Sequence, residues 1–354
     1  MGSVKAQMMK APEGRVTIRD VARTAGVGVG TVSRVLNGAN AVSAGTRKRV
    51  RAVIRRLRFR PNAHARRVMR ARADTICFVL CNRQFLHPFH ARIFQGVESA
   101  ATALKQYVTY VAVSYRKGQS SQQITLPPIL EEKGMADGLI LAGAFYPNFI
   151  RLVKGLGLPF VASSNNLPLP RGEGSFDQVR YNGAEGQFQA TRYLVEQGHC
   201  LIAFVGDTTL PWIREQRQGY LSAMRSFHLE PIEVTAHRNN SPSEYGIWAG
   251  SQLLSLGSRP TVVLAGSDAV AFGLWRSFRH HSLHVPGDIS LVGFDDTEEA
   301  LLVDPPLTTV RVPKEAIGQA CVELLMQREI HPGDPFICRL LPTELIIRGT
   351  VHRL

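Results

Sequence analysis

The residues from Val29 to Leu36 offer side chains that could contact DNA. The apolar members of this stretch recur at helical spacing and would face a neighbouring helix. The opposite stripe then consists of Val29, Gly30, Ser33 and Arg34. Arg34 could donate two hydrogen bonds to O6 and N7 of guanine, Thr31 and Ser33 suit phosphate oxygens, and Val29 and Gly30 allow only apolar contact or close approach. This stripe has the chemistry of a surface that meets a major groove.

Two short helices joined by a tight turn would position that stripe. Apolar residues near Val21 and Ala25 predict a first helix, Gly26 to Gly28 predict the turn, and Asn37-Gly38 predict the end of the second helix. A third helix is predicted from Ser43, as its N-cap, through Leu57. Its many arginines could form an ordinary solvated face, but their place beside a helix-turn-helix pattern favours DNA contact.

The distribution of charge supports a basic module at one end of the chain. The 354 residues carry 42 Lys and Arg, 28 Asp and Glu and a net charge of +14. Residues 1–73 contain eighteen basic and two acidic residues, so the remaining chain is close to neutral. Such asymmetry indicates a polyanion partner, with nucleic acid ahead of an anionic membrane surface.

Composition excludes several classes of protein. A hydrophobic content of 44% without a long apolar run excludes a membrane protein, and we expect no membrane partner. Residues 1–15 lack a secretory signal and are expected to be a disordered leader, so we expect a cytoplasmic, nucleoid-associated protein. Five scattered cysteines indicate buried thiols rather than disulfides or a zinc cluster; they are Cys77, Cys81, Cys200, Cys321 and Cys338.

After Asp74 the sequence alternates short apolar strands with helical segments of about 10 to 15 residues. This alternation predicts βαβ units and parallel sheets. Two such sets, with the chain crossing back after Pro305-Pro306, predict two similar lobes that face one cleft. In open parallel sheets a ligand binds at the carboxyl ends of the strands, so strand-end residues are the candidates for a ligand site.

The chain resembles the LacI/GalR family of transcription regulators over nearly its whole length. Four segments carry the resemblance, in the order and spacing of that family: TIRDVARTAGVGVGTVSRVLNG at 17–38, FRPNAHARRV at 59–68, VPGDISLVGFDD at 285–296 and PPLTTVR at 305–311. The resemblance implies an α/β protein with an N-terminal three-helix helix-turn-helix head, a hinge helix and two Rossmann-like parallel-sheet lobes of the periplasmic-binding-protein type. It also implies a homodimer on a pseudo-palindromic double-stranded DNA operator.

The resulting domain prediction has four parts. The leader covers 1–15, the helix-turn-helix domain 16–60, the hinge helix and linker 61–73, and the effector-binding and dimerisation domain 74–354. Within the last part, the N-lobe is expected at about 74–164 plus 309–333, and the C-lobe at about 165–308 plus 334–354.

The resemblance adds DNA contacts beyond the stripe of the second helix. In the family a leucine of the hinge helix wedges into the minor groove, and here Val68 occupies that position. A valine is shorter and stiffer, so the bend of the operator is expected to differ. The predicted DNA-binding residues are Thr17, Val29, Gly30, Thr31, Ser33, Arg34, Asn37, Asn62, Ala65 and Val68.

The effector is expected to be a sugar or sugar derivative bound between the lobes. Asp295 follows a predicted strand where the family places an effector-binding acid, although Asp295 or Asp296 could instead cap the next turn. Gln216, beside Arg217, stands where the family commonly has an arginine, and Ser267 replaces a common asparagine. Trp212 could stack on a sugar or simply pack. The predicted effector-binding residues are Phe85, Phe89, His90, Trp212, Gln216, Arg217, Ser267 and Asp295.

No catalytic or cofactor motif was found. The glycines at 26–30 do not follow a strand, no P-loop occurs, and no nucleophile elbow is present. His280, His281 and His284 lack a completing ligand, so neither a metal nor another cofactor is expected. We therefore expect a transcription regulator that acts as a repressor, and not an enzyme. The alternative is a sugar-binding sensor or sugar-processing enzyme whose basic head binds polyanions without sequence preference.

Overall fold

The computed structural model describes residues 16–36, 41–59, 72–84, 87–132, 134–167, 176–236 and 241–354. The chain divides into two compact units, residues 1–71, here called the head, and residues 72–354, here called the regulatory unit. The predicted hinge at 61–73 lies almost wholly outside the described residues. No helix in the described ranges combines the length and apolar character needed to cross a membrane.

Three helices around a small core form the described part of the head. They are α1 (Ile18–Ala25), α2 (Val29–Leu36) and α3 (Ala44–Arg56). Thr17 caps α1 through a capping box with Asp20, and Gly26 ends the helix in the left-handed conformation with φ of 61°. Ser43 caps α3, as the sequence predicts. The core consists of Val21, Ala22, Ala25, Val32, Val35, Val50, Val53 and Phe59.

The first sheet of the regulatory unit defines its N-lobe. All of its pairings are parallel, and the strand order is β11-β5-β4-β3-β1-β2. Its strands are β1 (Thr75–Cys81), β2 (Tyr107–Val113), β3 (Gly138–Gly143), β4 (Phe160–Ser163), β5 (Asp177–Tyr181) and β11 (Cys338–Leu341). The helices of this lobe are α4 (Pro88–Ala103), the short α5 (Pro128–Glu131), α6 (Pro147–Gly155) and α11 (Lys314–Ile330).

The second sheet defines the C-lobe and has the order β12-β10-β9-β8-β6-β7. Only the β10–β12 pairing is antiparallel. Its strands are β6 (Ile202–Val205), β7 (Ile232–Val234), β8 (Val262–Ala265), β9 (Ser290–Asp295), β10 (Thr308–Arg311) and β12 (Glu344–Ile346). Its helices are α7 (Gly183–Glu196), α8 (Pro211–Ser226), α9 (Pro242–Leu254) and α10 (Asp268–His280).

The sheets correct the predicted lobe boundaries. Strands β5 and β11 belong to the N-lobe sheet, although the sequence assigned 165–308 and 334–354 to the C-lobe. Strand β10 pairs with β9 in the C-lobe, although 309–333 was assigned to the N-lobe. These strands have four or five residues each, and pairing across the sheet rather than local periodicity decides which sheet they join.

The chain therefore crosses between the lobes three times. The crossings follow β5, β10 and β11, at residues 182, 312–313 and 342–343. Every crossing leaves the carboxyl end of a strand, so the carboxyl ends of both sheets face the junction between the lobes. This is the edge at which open parallel sheets bind ligands.

Candidate DNA interface and ligand cleft

Helix α2 presents the predicted stripe at the surface of the head. Val29 is 42% exposed, while Val32, on the apolar face of the helix, is fully buried. Gly30 and Arg34 are also exposed, and Thr31 and Ser33 are half-buried. The predicted orientation of the helix is thereby confirmed, whereas contact between the stripe and DNA stays a prediction.

Of the remaining residues predicted to contact DNA, one is described by the structure and four are not. Thr17 is exposed, but its hydroxyl already donates to a carboxylate oxygen of Asp20 at 2.7 Å and accepts from the Asp20 amide at 3.4 Å. Thr17 therefore has a structural role in the cap of α1. The other predicted contacts, Asn37, Asn62, Ala65 and Val68, lie outside the described residues.

Helix α3 adds positive charge to the head. Its exposed basic residues are Lys48, Arg49, Arg51, Arg55 and Arg56. Residues 16–59 contain a single acid, Asp20, whose carboxylate pairs with Arg23 and holds the α1 cap. The positive charge of α3 is thus almost uncompensated within this range, as a surface that binds phosphates requires.

Asp295 ends β9 beside the junction of the lobes. Its backbone has φ of 114°, a conformation that L-residues rarely adopt. The ammonium of Lys314 donates to the carbonyl oxygens of Asp295 and, at 3.2 Å, of Asp296, and so holds this strained turn. Among the described residues the Asp295 carboxylate has no hydrogen-bond partner. Burial, reinforced by Asp268, raises the pKa of Asp295 well above its usual range.

A different aspartate caps the turn that follows β9. The carboxylate of Asp268 accepts from the Thr297 amide at 2.7 Å and from the Thr309 hydroxyl at 2.6 Å. Asp296 instead pairs with Arg311 at 2.7 Å and with Arg348 at 2.5 Å. The alternative role of Asp295 or Asp296 as the cap of this turn is wrong, because Asp268 fills it. The Asp295 carboxylate remains unpartnered in the described structure.

Aromatic side chains from both lobes surround this region. The ring of Phe89, on α4, lies 6.2 Å from that of Tyr181, which in turn lies 6.3 Å from Phe294 on β9. The Lys314 ammonium lies 5.7 Å from the Phe89 ring. The structure thus brings the predicted residue Phe89 close to the turn that carries Asp295.

Sequence reasoning missed a buried polar cluster that joins the lobes. Arg180 is fully buried, donates to the carbonyls of Ser164 at 2.8 Å and Leu167 at 3.0 Å, and pairs with Glu215 of α8. Asn165 donates to the second oxygen of Glu215 at 3.2 Å. Burial raises the pKa of Glu215, and the charge of Arg180 opposes that shift. An arginine in the middle of a strand was the available signal, but its partner lies 35 residues away.

Three predicted effector residues of the C-lobe have distinct environments. Gln216 is fully buried, and in the described ranges neither the nitrogen nor the oxygen of its amide has a hydrogen-bond partner. The Ser267 hydroxyl caps α10 by accepting from the Val270 amide at 3.2 Å. Arg217 forms a two-point ion pair with Glu233, at 2.5 and 2.7 Å. That pairing occupies the guanidinium, so Arg217 has a structural role and Gln216 is the better candidate for contact with an effector.

Where the N-lobe borders the cleft, Trp212 of the C-lobe helix α8 lies near a basic side chain of the N-lobe. The Arg83 guanidinium carbon lies 5.7 Å from the centre of the Trp212 ring. The His87 and His90 rings lie 5.0 Å apart, and Phe89 lies 5.2 Å from His90. Burial lowers the pKa of His90 well below its usual range, and the charges of His87 and Arg83 add to this effect. Phe85 lies outside the described residues.

A separate cavity of about 490 Å³ lies at the amino ends of the N-lobe strands. It is lined in part by Arg72, Asp137, Arg328 and Glu329 and includes none of the predicted effector residues. Within the described ranges, no group of three or more His, Cys, Asp or Glu side chains is arranged to hold a metal ion.

Both units match known protein families. Residues 17–62 match the family described as bacterial regulatory proteins, lacI family. Residues 191–351 match the periplasmic binding protein-like domain. The first match spans the described head, and the second spans most of the C-lobe.

Relatives of known name align along nearly the whole chain. The HTH-type transcriptional repressor CytR of Escherichia coli K12 is 31% identical, covering 98% of this chain and 99% of the relative. The HTH-type transcriptional regulator CelR of Thermobifida fusca is 31% identical over 94% of this chain and 98% of its own length. The HTH-type transcriptional repressor PurR of Proteus mirabilis is 30% identical over 90% and 92%.

Solved structures show the same architecture. The lac repressor dimer bound to operator and the anti-inducer ONPF superposes with a TM-score of 0.78 at 27% identity, over 95% of this chain and 99% of that one. A complex of the transcriptional regulator CelR with cellobiose gives a TM-score of 0.67 at 29% identity, over 95% and 100%.

Proposed function

This chain belongs to the lacI family of bacterial regulatory proteins, and we propose that it is a repressor whose affinity for its operator is set by a small effector between the lobes. It would act as a homodimer in the cytoplasm, where each half of a pseudo-palindromic operator receives one helix α2. The similar lac repressor structure is a dimer on operator DNA, which supports this assembly.

The observation that carries the DNA-binding role is the exposed stripe of α2 in a head with little negative charge. Arg34 is exposed at one end of the stripe, and Val29 is exposed although it is apolar. An arginine can recognise guanine through two hydrogen bonds, and an apolar side chain can contact the methyl group of thymine. The basic residues of α3 would supply affinity that does not depend on sequence.

The effector role rests on the junction between the lobes. Asp295, Gln216 and Phe89 come from both lobes, and two of them carry buried or partly buried polar groups without a partner among the described residues. Unpaired acceptors of this kind suit the hydroxyl groups of a sugar. The similar CelR structure holds cellobiose, which supports a sugar-like effector. We propose that the cleft binds this ligand without transforming it.

The crossings between the lobes offer a route for coupling. Among the described residues, side chains bridge the lobes where Glu215 contacts Arg180 and Asn165, where Arg92 of α4 pairs with Glu298 at 2.7 Å, and where Lys314 of α11 donates to the carbonyl of Asp295. An effector that binds one lobe arrangement more tightly than another shifts the population of arrangements. DNA affinity changes if the two arrangements also differ in their affinity for the operator.

The test is a selection of binding sites from random double-stranded DNA by the full-length protein, repeated with a panel of sugars. The expected result is a two-fold-symmetric motif whose enrichment changes with one sugar. Affinity for the selected site and for random DNA is then measured for Arg34→Ala and, as a control with the same change of charge, Arg51→Ala.

Arg34→Ala should weaken binding to the selected site by about 10- to 100-fold while random DNA is affected much less, because a bidentate base contact contributes about 1–3 kcal/mol. Arg51→Ala should weaken binding to both DNAs by a similar, smaller factor. An equal loss on both DNAs for Arg34→Ala would contradict base recognition. Failure to enrich any sequence would favour a sugar-binding sensor or enzyme with a nonspecific basic head.

A further inference from the structure

Three basic side chains gather at the N-lobe side of the cleft. Arg83 follows β1, and His87 and His90 lie at the start of α4; together they are called the basic cluster. The Nδ1 atoms of the two histidines are 3.4 Å apart; burial lowers the pKa of both rings, and the charge of Arg83 adds to this effect. The two histidines thus lie side by side, and Arg83 is near enough for its charge to act on both rings.

The half-buried Arg83 differs from the buried arginines of the regulatory unit. Arg180 and Arg328 pair with Glu215 and Asp177, respectively. No carboxylate among the described residues pairs with Arg83, and its Nε atom is buried without a hydrogen-bond partner. Burial accordingly lowers the pKa of its guanidinium. A partly buried cation with an unused donor is costly in a protein and is relieved by an anion.

The start of α4 adds to this preference for an anion. The helix has sixteen residues, and its N-cap residue His87 makes no capping hydrogen bond through its side chain. Pro88 has no N–H and the His90 amide donates to the His87 carbonyl at 2.9 Å, so what the first turn offers an anion is the Phe89 amide, which has no hydrogen-bond partner among the described residues, and the positive end of the helix dipole. On the facing lobe, Trp212 covers the Arg83 guanidinium and reduces its contact with water.

The opposite side of the same junction has acidic character. Asp295 and Asp268 lie there, and the unpartnered carboxylate of Asp295 suits hydroxyl groups. Phe89 links the two sides, because its ring lies 5.2 Å from His90 and 5.7 Å from the ammonium of Lys314, which holds the Asp295 turn. One side can thus bind an anion while the other binds hydroxyl groups.

We propose that the effector is a polyhydroxylated compound with one anionic group, a carboxylate or a phosphate, and that the basic cluster binds this group. The proposal rests on the proposed function, since it assumes that the effector occupies the junction between the lobes. A neutral sugar would leave Arg83 without a counterion.

The experiment measures ligand-induced shifts of the melting temperature, followed by titration calorimetry, on the full-length protein. Matched probes separate the two sources of charge: D-gluconate against D-glucitol and D-galacturonate against D-galactose for carboxylates, and glucose 6-phosphate against glucose and ribose 5-phosphate against ribose for phosphates. Each is tested up to about 10 mM, so that millimolar affinities are detected. The same compounds are added to complexes with selected operator DNA.

The expected result is binding by at least one anionic compound and a weaker response to its neutral partner. Arg83→Gln should reduce the affinity for that compound by at least about tenfold, since a charge-assisted contact is lost. Arg83→Lys keeps the charge and should lose less. The control Arg192→Gln makes the same change at an exposed residue of α7 that pairs with Glu196, and it should bind normally.

Several results would overturn the inference. They are equal binding of neutral and anionic partners, unchanged anion affinity in Arg83→Gln, and no response to any anionic probe. If a neutral sugar alone binds and alters operator affinity, the inference fails and the proposed function stands. If an anionic compound binds through Arg83 without any change in operator affinity, the basic cluster is an anion site, but the compound is not an effector and the proposed regulation fails.

Discussion

The head and the regulatory unit hold their candidate functional residues in opposite environments. In the head, Arg34 and Val29 lie exposed on a short helix. In the regulatory unit, the predicted effector residue Gln216 is fully buried, as are the polar residues Arg180 and Asp268. A surface that recognises a long polymer must remain accessible, whereas a site that encloses a small molecule must exclude water from its polar groups. Removal of a polar side chain should therefore affect binding in the head and stability in the regulatory unit.

We expect the largest loss of stability for the variant Asp177→Ala. Asp177 is 2% exposed, forms a two-point ion pair with Arg328 at 2.7 and 3.0 Å, and accepts from the Ile337 amide at 2.8 Å. Its removal leaves a buried arginine unpaired, so the free energy of unfolding should fall by about 3–5 kcal/mol. Urea denaturation followed by tryptophan fluorescence measures this change, because all three tryptophans lie in the regulatory unit.

The matched control is Asp288→Ala, which removes an exposed carboxylate paired with His284. This variant should lose far less stability than Asp177→Ala, because solvent screens an exposed pair. Similar losses of unfolding free energy in the two variants would show that burial does not determine how much a charged pair contributes to stability.

The second effect concerns the dependence of stability on pH. Burial raises the pKa of Asp268 from 3.8 to about 6, so the folded protein holds this proton more tightly than the unfolded chain. The resulting stabilisation is complete below about pH 4 and is lost as the pH rises through 6. Asp268→Asn removes this titration, so its unfolding free energy relative to the parent should rise between pH 4 and 7, by on the order of 3 kcal/mol.

Denaturation curves of both proteins at several pH values between 4 and 7 provide the measurement. Asp288→Asn serves as the control, since hydrogen bonds with His284 lower the pKa of Asp288 below 3.8 and confine its titration to more acidic solutions. Parallel stability profiles for the parent and Asp268→Asn would show that the Asp268 carboxylate is not desolvated in the folded protein.

The smallest effect is expected in the head, where Thr17→Ala removes the cap of α1. The loss of two short-range hydrogen bonds with Asp20 should destabilise this helix by about 1 kcal/mol. Hydrogen exchange of residues 18–25 in the full-length protein should accelerate by roughly fivefold. Thr24→Ala, at an exposed position inside α1, should leave exchange unchanged or slower, since alanine favours helix. Equal acceleration in both variants would rule out the cap as the cause.

Local patterns were sufficient to predict the head. The apolar spacing of α2, the turn at Gly26 and the Ser43 cap all involve residues within four positions of one another. The alternation of strands and helices likewise predicted two parallel-sheet lobes, and the motif around Asp295 placed that residue at a strand end. These features depend on helix and strand periodicity, which the sequence displays directly.

The sequence by itself thus determined the helix-turn-helix head, the α/β class of the regulatory unit and the position of Asp295. Only the tertiary structure decided the sheet membership of β5, β10 and β11, the pairing of Arg217 with Glu233, and the approach of Arg83 to Trp212. Strand pairing and desolvation involve residues that are distant along the chain. Their free energies depend on which of these residues are buried next to one another. A helical period or a cap, by contrast, is set by neighbours three or four residues away.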